Sequence, residues 1–237
     1  MATLVLRLAG PMQAWGASSR FTVRSTRRAP TKSGLIGLIA AAQGRQRNDS
    51  IEDLMGLNVA VRIDQPGSLL QDFQTAKNEK GEAMPLSNRY YLTDAVFVAG
   101  IEGSKESLET IRHSLESPSY PLYLGRRSCP PSLPLVLNLV DESLEDALSA
   151  AVTPWQASSW FQRRIGNRSF DAELLSDHPL CKDNAQDALE ETVSDVPISF
   201  AMENRRYSWR TVYRSRTCLK KAVPLEQHDP LAFLEDV

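Results

Sequence analysis

TDAVFVAGIEGSKESLETIRHSLES, residues 93–117, is one strand running into one helix. TDAVFVAGI (93–101) has the β-branched and aromatic content of a strand. In SKESLETIRHSLES (104–117), Leu108, Ile111 and Leu115 recur at helical spacing on one face. The same succession opens the chain. TLVLRLA (3–9) reads as a strand, and SGLIGLIAAAQG (33–44) as a helix that Thr31 or Ser33 can cap and Gly44 can end. A short helix at IEDLMGL, capped by Ser50, leads into a second strand, NVAVRID (58–64). Beyond the second helix, YPLYL and LPLVLNLV read as strands flanking the loop GRRSCPPS (125–132).

The order is β-α-β, a long insert, then β-α-β. That is an α+β class with a ferredoxin-like, split βαβ core. The insert, about 65–92, is too long to be idle in a compact domain. Its centre, KNEKGE, is a turn between the arms QDFQT and NRYYL, so an extended β-hairpin is expected. After Val140 the patterning weakens. SLEDALSAA (143–151) reads as a short helix, and 171–195 is acidic and poorly periodic. PISFAM and RRYSWRTVYRSRTCL read as terminal strands. The expected division is a domain over 1–140 carrying the hairpin, and a smaller β-rich subdomain over 141–237.

Charge points to the partner. The first 47 residues carry Arg7, Arg20, Arg24, Arg27, Arg28, Lys32, Arg45 and Arg47 and no acid before Asp49, although the chain as a whole has net charge -2. A local basic surface on a near-neutral protein is the footprint of a polyanion site. With 42% hydrophobic and 24% charged residues, the composition is that of an ordinary globular protein. No apolar run approaches the roughly 20 residues that cross a bilayer, and MATLVLRLAGPMQAWG reads as a strand rather than a signal peptide. Cys129, Cys181 and Cys218 form no CxxC pair, and His113, His178 and His228 are scattered. A cytoplasmic protein without metal or cofactor is the simple reading.

Four segments carry candidate chemistry. GPMQAWG (10–16) offers Gln13 and Trp15 in a glycine-bounded turn, where Trp15 can stack on a base or simply be buried. TRRAPTKSG (26–34) sets Arg27, Arg28 and Lys32 at a helix N-terminus, where free N–H groups and the helix dipole favour phosphate. A solvated basic loop explains it equally. YLGRRSCPPS (123–132) presents Arg126 and Arg127 just after Gly125, either as phosphate forks or as a charged turn. Arg206, Arg210, Arg214 and Arg216 would share one face of a strand, as a second nucleic-acid face or a solvated one. Catalytic signatures are poor. His113, Tyr123 and Lys105 are the candidates for metal-free RNA cleavage, and nothing in the sequence makes them converge.

LRLAGPMQAWG, PTKSGLIGLIAAAQG and YLGRRSCP, in this order, resemble the CasD family of type I-E CRISPR–Cas systems, RAMP proteins that hold the 5′ handle of CRISPR RNA within the Cascade complex. The resemblance implies a non-catalytic RNA-binding subunit with a hairpin thumb. Its basic loop falls on Arg24, Arg28, Lys32 and Ser33, with Arg20 and Arg27 beside it as further RNA-binding candidates, and its strand-end turn on Gln13 and Trp15. The glycine loop falls on Tyr123, Leu124, Gly125, Arg126 and Arg127, and the returning thumb arm on Arg89. Implied partners are CRISPR RNA, the CasC-type backbone and CasA-type large subunits, and target DNA through the complex. The rival is a metal-independent endoribonuclease, as type I-C relatives are. The arm appears short for the family, and 171–195 has no assigned counterpart.

Overall fold

The computed structural model describes residues 1–16, 23–180, 189–201 and 203–220. Arg20, Cys181, His228 and residues 181–188 of the acidic stretch lie outside these. The chain begins with β1 (Ala2–Ala9), followed by the short strands β2 (Met12–Gln13), β3 (Trp15–Gly16), β4 (Val23–Arg24) and β5 (Thr26–Arg27). Next come α1 (Lys32–Ala42), α2 (Glu52–Met55), β6 (Asn58–Gln65), β7 (Ser68–Gln74), β8 (Ser87–Thr93), β9 (Val96–Gly103), α3 (Lys105–Glu116) and β10 (Val136–Val140). The chain then continues through α4 (Leu144–Leu148), α5 (Ser159–Ile165), β11 (Phe170–Ser176), β12 (Leu189–Ser199) and β13 (Arg206–Leu219).

The result is a mixed α/β protein with antiparallel sheets. Seven strands form the main sheet in the order β10-β1-β9-β6-β11-β13-β12, and every neighbouring pair in it is antiparallel. Side chains alternate across it. On one face Leu4, Leu6, Leu8, Val61, Phe97 and Ile101 pack with Leu35, Ile36 and Ile39 of α1 and with Leu108, Ile111 and Leu115 of α3. On the other face Val5, Ala60, Val98 and Leu174 pack under Leu144, Ala147 and Leu148 of α4. Each large apolar side chain buried this way contributes about 1.5–3 kcal/mol.

Both main helices start where the sequence places them. Thr31 caps α1, its Oγ1 accepting from the Gly34 N–H at 3.1 Å. Ser104 caps α3, its Oγ accepting from the Ser107 N–H at 3.3 Å. The expected hairpin is β7–β8, in register from Ser68↔Thr93 to Gln74↔Ser87. Its outer surface leaves Leu69, Phe73, Met84 and Leu86 exposed. Where the hairpin meets the body of the protein, β8 also pairs with β2 at Leu92 and Thr93 and, further toward the turn and in parallel, with β4, so Asn88 and Arg89 lie beside Val23 and Arg24.

Two expectations are corrected. YPLYL forms no strand: Leu124 is a single buried anchor in a loop, and only Val136–Val140 of LPLVLNLV pairs. The acidic stretch, in which no strand was expected, is regular structure over much of what is described. It contains β11 and most of β12, and β11 pairs with β6, so the C-terminal strands extend the main sheet. PISFAM contributes only the last residues of β12.

Candidate nucleic-acid interface

The turn after β1 is braced from within. Gln13 is fully buried, and its Nε2 donates to Leu8 O at 3.0 Å and Ala95 O at 2.8 Å. Its Oε1 accepts from Trp15 Nε1 at 3.1 Å. Trp15 is 1% exposed, and its ring lies so close to Gly34 that a Cβ there would fall 2.8 Å from Trp15 Cε3. No ring face is left for a base. Trp15 and Gln13 therefore position the turn against α1, and the expectation that Trp15 stacks on a base is withdrawn.

The N-terminus of α1 is also occupied. Asp195 of β12 accepts the Lys32 N–H at 2.9 Å, the bond a phosphate would have made. Lys32 Nζ is buried against Asp177 at 2.8 Å, and Arg210 bonds both Asp177 and Asp195. Ser33 Oγ lies 3.2 Å from the capping Thr31 Oγ1. Lys32 and Arg210 are thus held by carboxylates from the acidic stretch 171–195. Lys32→Met is expected to lower the melting temperature while leaving single-strand RNA affinity within about twofold and its salt slope unchanged. A tenfold affinity loss in fluorescence anisotropy would return Lys32 to the phosphate.

Other cations are paired too. Arg27 lies 3.6 Å from Glu191, Arg45 pairs with Asp53, and Arg214 pairs with Glu173 and Glu191. That leaves a group at the thumb root in which, among the described residues, no arginine has a carboxylate partner: Arg24, Arg89, Arg126 and Arg127. Arg126 holds the group together. Its Nη1 donates to Tyr90 O at 3.0 Å and its Nη2 to Arg24 O at 2.8 Å and Ser25 O at 3.4 Å, with the guanidinium 4.7 Å above the Tyr91 ring. One side chain therefore ties the glycine loop, β4 and β8 into a single surface. Arg24 and Arg127 are exposed, and Arg89 is half-buried with an Nε that lacks a hydrogen-bond partner.

The local field is positive. Burial alone would raise the pKa of the Tyr91 hydroxyl, but the Ser128 hydroxyl and the Arg126 and Arg89 guanidinium groups outweigh it and bring it below its ordinary value. The loop itself is shaped by Gly125, whose φ of +94° is one that side-chain-bearing residues rarely adopt. Leu124 N donates to Cys129 O at 2.7 Å, and Ala14 N donates to Leu124 O at 3.0 Å. Tyr123 is half-exposed beside it. Burial pushes the Cys129 thiol up, leaving it an inert core group.

Of the expected site residues, the structure gathers Arg24, Arg89, Tyr123, Leu124, Gly125, Arg126 and Arg127. Arg28 is exposed on a groove of about 430 Å³ that it lines with Gly67, Leu69 and Leu92 at the base of the hairpin and with Phe170 and Arg216. Sequence reasoning missed the staple role of Arg126 and the ring of Tyr91 beneath it. The only available signal was the adjacency of Tyr90 and Tyr91 to Arg89. Among the described residues no group of three or more His, Cys, Asp or Glu side chains could hold a metal, and no helix is long and apolar enough to cross a membrane.

These features define an α/β protein of antiparallel sheets that collects unpaired arginines at the root of a hairpin. The chain belongs to the Cas5 family, described as "CRISPR-associated protein (Cas_Cas5)", which matches residues 3–213. It is 35% identical over 161 residues to the "CRISPR system Cascade subunit CasD" of Escherichia coli (strain K12), covering 59% of this chain and 72% of that protein. It superposes on a chain of a "CRISPR RNA-guided surveillance complex" with TM-score 0.73 at 30% identity, covering 98% of each. A second solved chain, "Crystal structure of Cas protein", gives TM-score 0.66 at 33% identity over 92% of this chain and 95% of that one.

Proposed function

We propose that this chain is a Cascade subunit that binds and caps the 5′ handle of CRISPR RNA without cutting it, through the arginines at the thumb root. The observation that carries the reading is that Arg24, Arg89, Arg126 and Arg127 gather where, among the described residues, none of them forms an ion pair, even with Asp72 across the hairpin from Arg89, while Lys32, Arg27 and Arg45 are paired. The likeness to a chain of a "CRISPR RNA-guided surveillance complex" supports RNA as the polyanion. Phosphates would be met by Arg24, Arg89 and Arg127, positioning the strand. Tyr123 would meet a splayed base, supplying selectivity.

In this reading β1, β6, β9 and β10 with α1 and α3 form the ferredoxin-like core of a domain over 1–140. The described residues beyond 140 make up the smaller β-rich part, whose strands continue the main sheet through β11 and β6. The thumb, with Leu69, Phe73 and Met84 exposed, would face a CasC-type backbone subunit, and a CasA-type large subunit and target DNA would be reached through the assembled complex.

The double variant Arg24→Ala/Arg127→Ala tests this. Its affinity for handle RNA is expected to fall at least tenfold and its log–log salt slope by about 1.4, two single-strand phosphate contacts' worth. RNA recovered from the same mixtures in chelator is expected at full length. An unaltered slope would mean that these side chains face elsewhere.

A further inference from the structure

Residues 147–170, ALSAAVTPWQASSWFQRRIGNRSF, lie between Asp146 and Asp171 and contain Arg163, Arg164 and Arg168 but no acid. This acid-free block takes no part in the thumb-root cluster. It belongs to α5 and its flanks, mounted on the start of β11 and the end of β13. Phe161 and Ile165 face inward and pack with Trp155, Phe170, Ala172 and Leu219. Gln65 Oε1 accepts from the Ser158 N–H and Oγ at 3.0 and 2.7 Å, fixing the start of α5 to the end of β6.

The outward side is basic and aromatic. Arg163, Arg164 and Arg168 are exposed, and among the described residues none pairs with a carboxylate. Arg168 Nε donates to Ile165 O at 3.3 Å, closing the helix end and leaving its terminal nitrogens free. A helix C-terminus favours cations, which accounts for basic residues in the last turn. It does not account for Trp160. That ring is 46% exposed yet held edge-on against Phe161, centroids 5.7 Å apart at 90°. Phe161 is in turn fixed by Trp155 and Phe170. An exposed, rigidly held ring costs little entropy to use as a stacking platform.

We infer that α5 and the segment through Arg168 form a second contact for single-stranded nucleic acid, separate from the thumb root. Arg163, Arg164 and Arg168 take phosphates, and Trp160 stacks on a base. Arginine forks match phosphate bidentately, and a basic track with an interleaved aromatic is how proteins hold single strands without reading sequence. An acidic protein surface would neutralise the arginines but gives no use for an open ring face. No group at the patch is dedicated to a 2′-hydroxyl, so RNA and DNA are both expected to bind.

The test uses the full chain saturated with unlabelled handle RNA and titrates labelled oligothymidylate and oligouridylate across salt, reading anisotropy. Arg163→Ala/Arg164→Ala/Arg168→Ala is expected to weaken both at least tenfold and flatten the salt slope by about 2. Trp160→Ala is expected to weaken both about tenfold with the slope kept. The corresponding triple lysine variant should retain the slope, which separates charge from any loss of fold. Handle affinity should not move in any of these, and Arg24→Ala/Arg127→Ala should not move the homopolymers, so the two surfaces succeed or fail independently. Homopolymer binding that the triple alanine variant leaves unchanged would overturn the inference, as would an equal loss of handle affinity. Binding of only one homopolymer would assign the patch to that nucleic acid.

Discussion

Arg62→Met is expected to cost about 3–5 kcal/mol of folding stability. Arg62 and Asp64 stand two residues apart on β6, hence on one face, and both are fully buried. Arg62 Nε and Nη2 donate to the Asp64 carboxylate at 2.6 and 2.9 Å. Nη1 donates to Leu148 O and Thr153 O at 2.6 and 2.8 Å, and Nη2 also to Pro154 O at 3.2 Å. Asp64 accepts the Gln156 N–H at 2.6 Å, and its carbonyl accepts from Trp155 Nε1 at 2.7 Å. The pair thus orders the whole connection from α4 to α5 across the sheet. Methionine would leave the buried carboxylate with only the Gln156 N–H and would leave the Leu148 and Thr153 carbonyls without the guanidinium, Pro154 O keeping Gln156 Nε2. Burial already pushes the Asp64 carboxyl above its usual pKa, against the pull of Arg62, and losing Arg62 pushes it further. A raised folded-state pKa means stability that is present below the unfolded value and lost as pH rises through the folded one. The deficit relative to the parent should therefore narrow toward about pH 4 and widen toward neutrality. Urea denaturation across pH reads it. A loss below about 1 kcal/mol at neutral pH would mean that the connection is not held by this pair.

The elements legible in the sequence were those whose signal is local. α3 showed its buried stripe because its outer face is polar, and the thumb showed two arms around a turn. β1 was legible as a strand, but its near-continuous burial, with helices α1 and α3 on one face and α4 on the other, hid which residues face which layer. β11 and β12 stayed hidden because their acids looked like a solvated run. Asp177 and Asp195 meet Lys32 across 145 and 163 residues of chain, and no local pattern reports such partners. The same limit governed the site. The acid-free N-terminus counted cations correctly, but only the fold separates Lys32, which α1 and β12 consume, from Arg24, which they leave free. YPLYL alternated like a strand, yet its backbone turns at Gly125 to meet Cys129 and Ala14 instead.

Gly125→Ala is expected to abolish handle binding, by at least about a hundredfold, while the main sheet stays folded. A β-carbon built at this position would lie 1.7 Å from Ala14 O, far inside contact distance, and the φ of +94° is strained for any side-chain-bearing residue. Backbone opposite backbone cannot yield as a flexible side chain does, so the loop must move. Moving it breaks the Ala14–Leu124 hydrogen bond, which ties the turn after β1 to the loop, and the Leu124–Cys129 hydrogen bond, which closes the loop on itself. Arg126, the next residue, then leaves Tyr90 O, Arg24 O and the Tyr91 ring, and β4 loses its tie to the thumb. Arg24, Arg89 and Arg127 each remain on the protein, yet the surface that aligns them is gone. Positioning of charge, rather than its quantity, accounts for the size of the effect: misplacing three phosphate contacts loses most of what each contributes. Circular dichroism should be unchanged, because Gly125 belongs to no helix or strand, and hydrogen exchange should quicken at the Ala14 and Leu124 amides. If alanine left handle affinity within about threefold while those amides lost protection, the arginines would be binding RNA without the loop's alignment, and the thumb-root site would have to be redrawn.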